Sequence, residues 1–261
     1  MTAPARTRLG NTGVRWERDG PVVTVTLCRP EVLNAQTPQM WATLHDIGRD
    51  LAGDVRVVVV RAEGRAFSAG LDLRVAGGGQ DGLLATLARM PPEDALARIA
   101  GFQSAFSWLG RTDVVSIAAV HGHAIGAGFQ LALACDLRVL AEDAQLAMAE
   151  VGLGLVPDLG GTRPLVDLVG YGRALEICVT GRRVGATEAL AIGLANLVVP
   201  RDDLDDAVRD LTAAVLAGPR DAVVEIKALL RGANGRSAAE QLAAEREAQL
   251  RRLRDLAGLA E

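Results

Sequence analysis

The chain has 261 residues, of which 49% are hydrophobic and 23% charged, and its formal net charge is −4. This is the composition of an ordinary globular protein, and it excludes a disordered chain, a collagen and a coiled-coil rod. The acidic balance argues against a nucleic-acid partner, and the apolar stretches are too short for a membrane span of roughly 18–20 residues.

The amino terminus and the cysteines give the first indications of location and class. Met1–Gly10 has no apolar run of the kind found in a secretory signal, so we expect a cytoplasmic protein. Cys28, Cys135 and Cys178 stand singly, without a CxxC pair. This spacing argues against a disulfide framework and against a structural zinc site.

Strands and helices are predicted to alternate over residues 1–200. Strands are predicted at Val22–Leu27, Val55–Arg61, Val114–Val120, Leu137–Leu140 and Gln145–Met148, and helices at Pro38–Leu51, Pro91–Leu109 and from Gly128 to Cys135. Four consecutive valines, Val57–Val60, predict a strand that is buried on both faces. The alternation predicts an α/β fold with a mostly parallel sheet, which binds ligands at the carboxyl ends of its strands.

Helices dominate the remainder of the sequence. They are predicted at Thr162–Val169, Gly172–Val179, Thr187–Ile192, Asp202–Leu216, Pro219–Leu230 and Ser237–Leu256. We therefore divide the chain into an α/β core, residues 1–200, and a helical carboxyl-terminal region, residues 201–261. The last helix carries Glu and Arg as well as Leu, which fits either packing against the body or another subunit, or a solvated surface helix.

Two glycine-containing corners each follow a predicted buried strand. The first is Ala66–Leu73, and the second, His121–Gln130, opens a helix. The amino terminus of a helix leaves N–H donors unpaired and suits an anion or a developing oxyanion, although glycine at such a corner also serves tight packing. The run Gly77–Gly79, after the first corner, is expected to be mobile.

Several familiar sites are missing from these corners. Gly126 and Gly128 lack the third glycine of a dinucleotide fingerprint, and no phosphate-binding P-loop occurs, which argues against NAD and ATP. Ser68 lacks the preceding glycine of a nucleophile elbow. His121 and His123 have no third ligand at a recognisable spacing, so we expect no metal.

Two acidic residues are candidates for proton transfer. Glu150 interrupts the apolar stretch Leu146–Val156, where a carboxylate is solvated, paired or raised in pKa. A raised pKa is what a general acid or base needs. Asp158 follows eight residues later. The alternative is a structural role for both, with Glu150 hydrogen-bonded and Asp158 as a helix cap.

Five segments, taken in order, resemble the crotonase (enoyl-CoA hydratase/isomerase) superfamily. They are Arg29–Pro30 with Leu33–Ala35, Ala66–Leu73, Ala119–Gly122 with Gly126–Gly128, Cys135–Arg138, and Glu150 to Thr162. The resemblance implies a spiral of ββα units with a helical carboxyl-terminal region used in trimer formation, and commonly a hexamer made of two trimers. It also implies an acyl-CoA thioester ligand. Coenzyme A then belongs to the substrate, and no separate cofactor is implied.

The resemblance also assigns roles to individual residues. It implies that the backbone N–H groups of Leu71 and Ala127 hold the thioester oxygen as an oxyanion hole. The implied CoA-binding residues are Ala69, Asp72, Arg74 and Lys227, the last being the only lysine of the chain. We expect the acyl chain to contact Val75–Met90 and the helix after it, with the following aromatic residues as lining or core: Phe67, Phe102, Phe106, Trp108 and Phe129.

The sequence departs from typical hydratases of this superfamily, which use two glutamates. Glu150 matches the later one, but Gln130 stands in place of the earlier one. Hydration needs one group to activate water and another to protonate the α-carbon, and an amide does not exchange a proton at a useful pKa. Ordinary two-glutamate hydration is therefore in question.

Asp158 supplies a second carboxylate. Its spacing from Glu150 resembles the Glu/Asp pair of dienoyl-CoA isomerases, and Glu150 alone matches single-glutamate enoyl-CoA isomerases. We predict an enzyme in which Glu150 abstracts and returns a proton near the α-carbon and Asp158 assists, with double-bond isomerisation favoured over hydration. The alternatives are a hydratase that uses Asp158 in place of the missing glutamate, and an acyl-CoA binding protein without catalysis.

Overall fold

The computed structural model describes residues 8–9, 12–77 and 82–259. The run Gly77–Gly79, predicted to be mobile, falls largely outside these ranges. The described strands form a seven-stranded and a three-stranded sheet. In chain order the strands are β1 (Arg8–Leu9), β2 (Val14–Asp19), β3 (Val22–Leu27), β4 (Val57–Ala62), β5 (Val115–Val120), β6 (His123–Ile125), β7 (Leu137–Ala141), β8 (Gln145–Ala147), β9 (Val184–Gly185) and β10 (Leu197–Val199).

The large sheet has the order β1-β2-β3-β4-β5-β7-β10. β2 pairs antiparallel with β1 and β3, and the pairs from β3 to β10 are parallel. The small sheet, β6-β8-β9, begins directly after the central strand β5. The predicted mostly parallel sheet is confirmed, and the small sheet lies at the carboxyl end of β5, where a ligand is expected.

The helices of the described residues cover the large sheet and make up most of the carboxyl-terminal part. They are α1 (Pro38–Arg49), α2 (Leu73–Ala76), α3 (Leu83–Arg89), α4 (Pro92–Ser107), α5 (Ala127–Ala134), α6 (Thr162–Val169), α7 (Tyr171–Thr180), α8 (Ala186–Ala191), α9 (Leu204–Ala217), α10 (Arg220–Gly232) and α11 (Ala238–Leu256). α1 begins where sequence chemistry favours it, because Thr37 caps the helix by accepting a hydrogen bond from Met40 N and Pro38 has no N–H to leave unpaired.

β4 is buried on both faces, as its four valines predict. Val58 and Val60 belong to the main hydrophobic core, on the side of α1 and α4. Val57 and Val59 belong to a second apolar cluster, which α9 completes with Leu204 and Val208. Both faces of the sheet are therefore held by apolar packing, so its carboxyl-terminal edge is a rigid platform.

The carboxyl-terminal helices are present, and α9 packs on the sheet. α10 and α11 pack against each other, with an ion pair between Arg251 and Glu225. α11 starts in a capping box formed by Ser237 and Glu240. Among the described residues, no helix combines the length and the apolar character that crossing a membrane requires. The division at residue 200 stays a prediction.

The sequence reading missed short or polar elements. β2 carries charged residues on its exposed positions, and β6 has only three residues after the tight turn at Gly122. Neither gives the apolar run by which a buried strand is detected. α2 and α3 were also not predicted, because they are single short helices in a glycine-rich stretch.

Candidate active site

The two glycine-containing corners lie side by side. Phe67 N–H donates to His121 O at 2.8 Å, and Ser68 N–H donates to His123 O at 2.8 Å. In return, Ile125 N–H donates to Ser68 O at 2.9 Å. Backbone hydrogen bonds therefore join corners that are more than fifty residues apart in the sequence, at the carboxyl ends of β4 and β5.

Close approach of the two corners explains their glycines. Gly70 has φ +88°, and a Cβ there would lie 2.6 Å from Ile125 O and 3.6 Å from Ala127 N. A Cβ at Gly128 would lie 2.6 Å from Ser68 O. Only glycine allows these backbones to approach so closely, so the residues that follow Gly70 and Gly126 face one shared space.

The backbone N–H groups of both predicted oxyanion donors are unpaired among the described residues. Ala127 is the first residue of α5, where no acceptor exists within the helix. Around Leu71, the hydrogen bonds run from Gln36 N–H to Gly70 O and from Asp72 N–H to Gln36 O. Across the described ranges, neither the Leu71 nor the Ala127 N–H has a hydrogen-bond acceptor. Two unpaired amides beside a cavity suit a carbonyl oxygen that gains negative charge.

A cavity of about 630 Å³ opens in front of the corners. Leu71 and Ala127 form one part of its wall, together with Gln130, Glu150 and Asp158. The rest of the wall is largely apolar and includes Trp41, Leu83, Leu84, Leu87, Ile99, Phe102, Leu155 and Leu159. A few polar groups facing an apolar chamber of this size are typical of a small-molecule site.

Glu150 lines this cavity, and one of its carboxylate oxygens is unpaired among the described residues. Its Oε1 accepts a hydrogen bond from Gln130 Nε2 at 2.7 Å, whereas its Oε2 is buried without a partner in the described part of the chain. Burial raises the pKa of the Glu150 carboxyl, and the nearby charge of Asp158 adds to this rise. Oε1 also lies 3.3 Å from where a Cβ of Gly126 would be, so the acid stands against the second corner.

Asp158 lies on the rim of the same cavity. Its residue surface is exposed, yet the protein around it desolvates the carboxyl and raises its pKa. Its carbonyl oxygen accepts a hydrogen bond from Gln103 Nε2 at 2.8 Å. The alternative role of Asp158 as a helix cap is wrong, because α6 begins after Gly161 and has no side-chain cap.

The predicted CoA-binding residues of the first corner have different environments. Ala69 lines the cavity. Asp72 is 4% exposed and accepts hydrogen bonds from Arg29 and Arg74. The pKa of its carboxyl is lowered to about 2, and the hydrogen bond from Arg74 is the main cause. The Arg74 side chain is 70% exposed, so Asp72 orients a guanidinium that still faces solvent.

Lys227 does not line the cavity, and its predicted role as a CoA contact stays a prediction. Its side chain is 8% exposed, and Nζ donates to Val114 O at 2.6 Å and to Asp136 Oδ2 at 2.5 Å. Asp136 also accepts from Ser116 N–H at 2.8 Å. A buried ammonium is retained only when it is neutralised, and these contacts use its donors to join α10 to the sheet.

The two histidines of the second corner do not converge. His121 Nε2 lies 3.1 Å from Gly64 O, and His123 Nδ1 lies 3.1 Å from the Arg183 guanidinium. Over residues 8–9, 12–77 and 82–259, no group of three or more His, Cys, Asp and Glu side chains is placed to bind a metal ion.

Two features of the site escaped the sequence analysis. Gln130 appeared there only as a missing acid, whereas in the structure it is the hydrogen-bond partner of Glu150. Trp41, within the predicted helix Pro38–Leu51, lines the cavity with its ring 4.8 Å from that of Phe102. Of the other aromatic candidates, none lines the cavity: Phe67, Phe106, Trp108 and Phe129 are buried in the core. No spacing in the sequence signals the pairing of Trp41 with Phe102.

Comparison with known proteins shows the family to which the chain is similar. The sequence profile described as enoyl-CoA hydratase/isomerase matches residues 17–254. A structure from Thermobifida fusca YX, solved in complex with acetoacetyl-CoA, is 47% identical, with a TM-score of 0.89 over 94% of this chain and 96% of the other. An enoyl-CoA hydratase structure from Mycobacterium smegmatis is 33% identical, with a TM-score of 0.78 over 91% and 90% of the two chains. The carnitinyl-CoA dehydratase of Salmonella paratyphi A is 36% identical over 218 residues, 82% of this chain and 78% of the relative.

The fold and the joined corners define a protein of the crotonase superfamily, which confirms the predicted α/β fold with carboxyl-terminal helices. Within it, the chain belongs to the enoyl-CoA hydratase/isomerase family. It is an enzyme that acts on acyl-CoA thioesters.

Proposed function

We propose that the protein moves a carbon–carbon double bond in an enoyl-CoA by proton transfer through Glu150. The observation that carries this proposal is that Glu150 lines the same cavity as Leu71 and Ala127, with its Oε2 unpaired among the described residues and with Gln130 in place of a second acid. One exchangeable acid at the α-carbon is enough for isomerisation, which adds no water. Hydration needs two exchangeable acids, one that activates water and one that protonates the α-carbon.

The chemistry follows from the geometry. The thioester oxygen accepts hydrogen bonds from Leu71 N–H and Ala127 N–H. Glu150 Oε2 removes a proton from the carbon between the carbonyl and the β,γ-double bond, and the electrons move to the thioester oxygen. Preorganised amides stabilise this dienolate, and each such donor lowers the barrier by roughly 3 kcal/mol. The proton then returns at the γ-carbon, so that the double bond becomes conjugated with the carbonyl.

Burial prepares Glu150 for both halves of this cycle. An ordinary carboxyl is too weak a base to remove an α-proton and too strong an acid to hold it near neutral pH. The raised pKa of Glu150 brings its two protonation states closer in free energy. Asp158 assists from the rim, where its own raised pKa suits proton delivery at the far end of the conjugated chain. No separate cofactor is required by this scheme.

The cavity wall supports a proposed orientation for the rest of the substrate. In this proposal the apolar chamber, lined by residues of α1, α3 and α4, takes the acyl chain, and the side of Ala69 takes the CoA moiety. The exposed guanidinium of Arg74 supports a phosphate contact. The acetoacetyl-CoA complex of the Thermobifida fusca relative supports an acyl-CoA at this site.

A second candidate is an enoyl-CoA hydratase in which Asp158 replaces the missing glutamate. It is favoured by one observation: Glu150 and Asp158 share the cavity, and the charge of Asp158 raises the pKa of Glu150. Two interacting acids near one substrate are able to hold and deliver the two protons that hydration moves.

Isotope exchange separates these candidates. The protein is incubated in deuterated water with a 3-enoyl-CoA, a 2-enoyl-CoA and a dienoyl-CoA, while absorbance and mass are followed. Isomerisation gives a conjugated product with deuterium on carbon, and hydration gives a product that has gained one water. Asp158→Asn is the matched variant, since it abolishes hydration under the second candidate and only slows isomerisation under the first. Binding without any exchange would refute both.

Assembly as a trimer, or as a hexamer of two trimers, is also part of the proposal. α11 exposes a row of leucines, Leu242, Leu250 and Leu253, which supports burial against another copy. Light scattering coupled to size exclusion tests this directly. A monomeric mass at micromolar concentration would contradict it.

A further inference from the structure

We infer that Gln130 is a positioning residue that holds Glu150 in place for proton transfer and fixes it to the loop carrying Asp158. The inference rests on the proposed role of Glu150. Gln130 lies on α5, is 1% exposed, and lines the cavity. It touches the acid rather than the α-carbon, so its contribution acts through Glu150.

Both ends of the Gln130 amide are occupied. Its Nε2 donates to Glu150 Oε1 at 2.7 Å. Its Oε1 accepts from Leu159 N–H at 2.9 Å and from Gly161 N–H at 3.2 Å. Backbone N–H groups only donate, so they fix the carbonyl oxygen toward the loop and the NH₂ group toward Glu150. The amide therefore has one orientation consistent with all its neighbours.

The two carboxylate oxygens of Glu150 have different environments. The Gln130 donor holds Oε1, whereas Oε2 is buried without a partner among the described residues. Without the tie, the carboxyl is free to rotate and to exchange its oxygens. A reacting group held within a fraction of an ångström transfers protons far more efficiently than a loose one.

The same amide links the two acids of the site. Asp158 directly precedes Leu159, whose N–H is bound by Gln130. The loop also packs on the stem of this side chain, since a Cβ at Gly161 would lie 2.7 Å from Gln130 Cγ. Gln130 thus sets the distance between Glu150 and Asp158 and is more than the remnant of a lost acid.

An ionised glutamate at this position would have the opposite effect. It would accept from the loop as Gln130 does, but it would place a second carboxylate oxygen about 2.7 Å from Glu150 Oε1, where neither donates. Two carboxylates so close share one proton. The singly protonated pair would resemble the native amide and acid, whereas the doubly ionised pair would repel.

The other titratable groups around Glu150 are Asp158 on the loop and Cys178 on α7, since each interacts electrostatically with the Glu150 charge. Gln130 opposes the effects of burial and of the Asp158 charge, because its N–H lowers the pKa of Glu150. Loss of this donor therefore raises the pKa of Glu150 and moves the acid limb of any Glu150-dependent rate to higher pH.

The test compares Gln130→Met and Gln130→Glu with Gln103→Met as the matched control. Gln103 is exposed and donates to the same loop at Asp158 O, without touching Glu150. Glu150 is titrated in the free protein by infrared difference spectroscopy against Glu150→Gln, and kcat and KM are measured across pH. Thermal melting verifies folding, and Gln130→Glu preserves the shape if Gln130→Met does not fold.

For Gln130→Met we expect a higher Glu150 pKa, a kcat reduced roughly 10–100-fold and a KM within about twofold of wild type. For Gln130→Glu we expect activity only between two titration steps, with a fall at alkaline pH that the wild type lacks. Gln103→Met should leave the pH profile in place. A Glu150 titration unchanged in folded Gln130→Met, or moved equally by Gln103→Met, would overturn the inference. The titration of Glu150 needs no substrate, so its outcome does not depend on turnover. A wild-type protein without proton exchange would overturn the proposed function and not this inference.

Discussion

Replacing Glu150 by Gln is the substitution that most directly separates chemistry from binding. The variant keeps the length of the side chain and an oxygen that accepts from Gln130 Nε2, which lies 2.7 Å from Glu150 Oε1 in the wild type. The local geometry is therefore preserved. The substitution removes the carboxylate whose Oε2 is buried without a partner among the described residues. Loss of a general base of this kind costs about 10²–10⁴-fold in rate, or roughly 3–5 kcal/mol in barrier height. CoA affinity should change little, because Leu71 and Ala127 bind through their backbones.

The same substitution has a pH-dependent effect on stability. Burial raises the pKa of Glu150 above its ordinary value of 4.5, so the folded state binds a proton that the unfolded state has already released. The free energy of unfolding therefore falls as pH rises from 4.5 through the folded pKa. Glu150→Gln should remove this penalty and be at least as stable as wild type at pH 8, with no advantage at pH 4.

The assay pairs α-proton exchange in deuterated water with thermal melting at both pH values. A variant that retains more than about a tenth of the wild-type exchange rate would exclude Glu150 as the base. The stability of Glu150→Gln relative to wild type is compared at the two pH values. If the folded variant compares less favourably with wild type at pH 8 than at pH 4, the account of Glu150 burial is refuted.

Three further substitutions test other parts of the structure. Gly128→Ala places a Cβ 2.6 Å from Ser68 O, so we expect a loss of about 1–3 kcal/mol in unfolding free energy and a large loss of exchange, whereas Gly172→Ala meets open space and should be neutral in both assays. Asp72→Asn should destabilise the protein at pH 7, because two arginines hold the pKa of Asp72 at about 2. In thermal melts this destabilisation should disappear as pH falls from 3.8 toward 2. A stability difference between variant and wild type that stays constant across pH would contradict the ion pairs. Phe102→Leu enlarges the acyl chamber and should raise kcat/KM for long-chain relative to short-chain substrates, while an unchanged ratio would place the acyl chain elsewhere.

Local patterns predicted much of the fold because local physics determines it. α6 has the predicted bounds Thr162–Val169, and the valines of β4 are buried on both faces as their run indicates. Strong periodicity or an unbroken apolar run specifies an element without knowledge of its neighbours. The two corners were also found from sequence, since glycine and the start of a helix mark them.

Pairings between distant residues were beyond the sequence. Lys227 binds Asp136, 91 residues away, and nothing in either segment indicates that partner. Gln130 reads as the loss of an acid until the structure shows its amide between Glu150 and Leu159. Such contacts are set by tertiary packing, which composition and spacing do not encode.

A crystal structure with bound acetoacetyl-CoA tests the central claim most directly, since a relative from Thermobifida fusca YX forms this complex. We predict the thioester oxygen at about 3 Å from both Leu71 N and Ala127 N, and Glu150 Oε2 within about 3.5 Å of the carbon beside the carbonyl. A thioester oxygen that contacts neither amide, or a Glu150 carboxyl directed away from that carbon, would contradict the account.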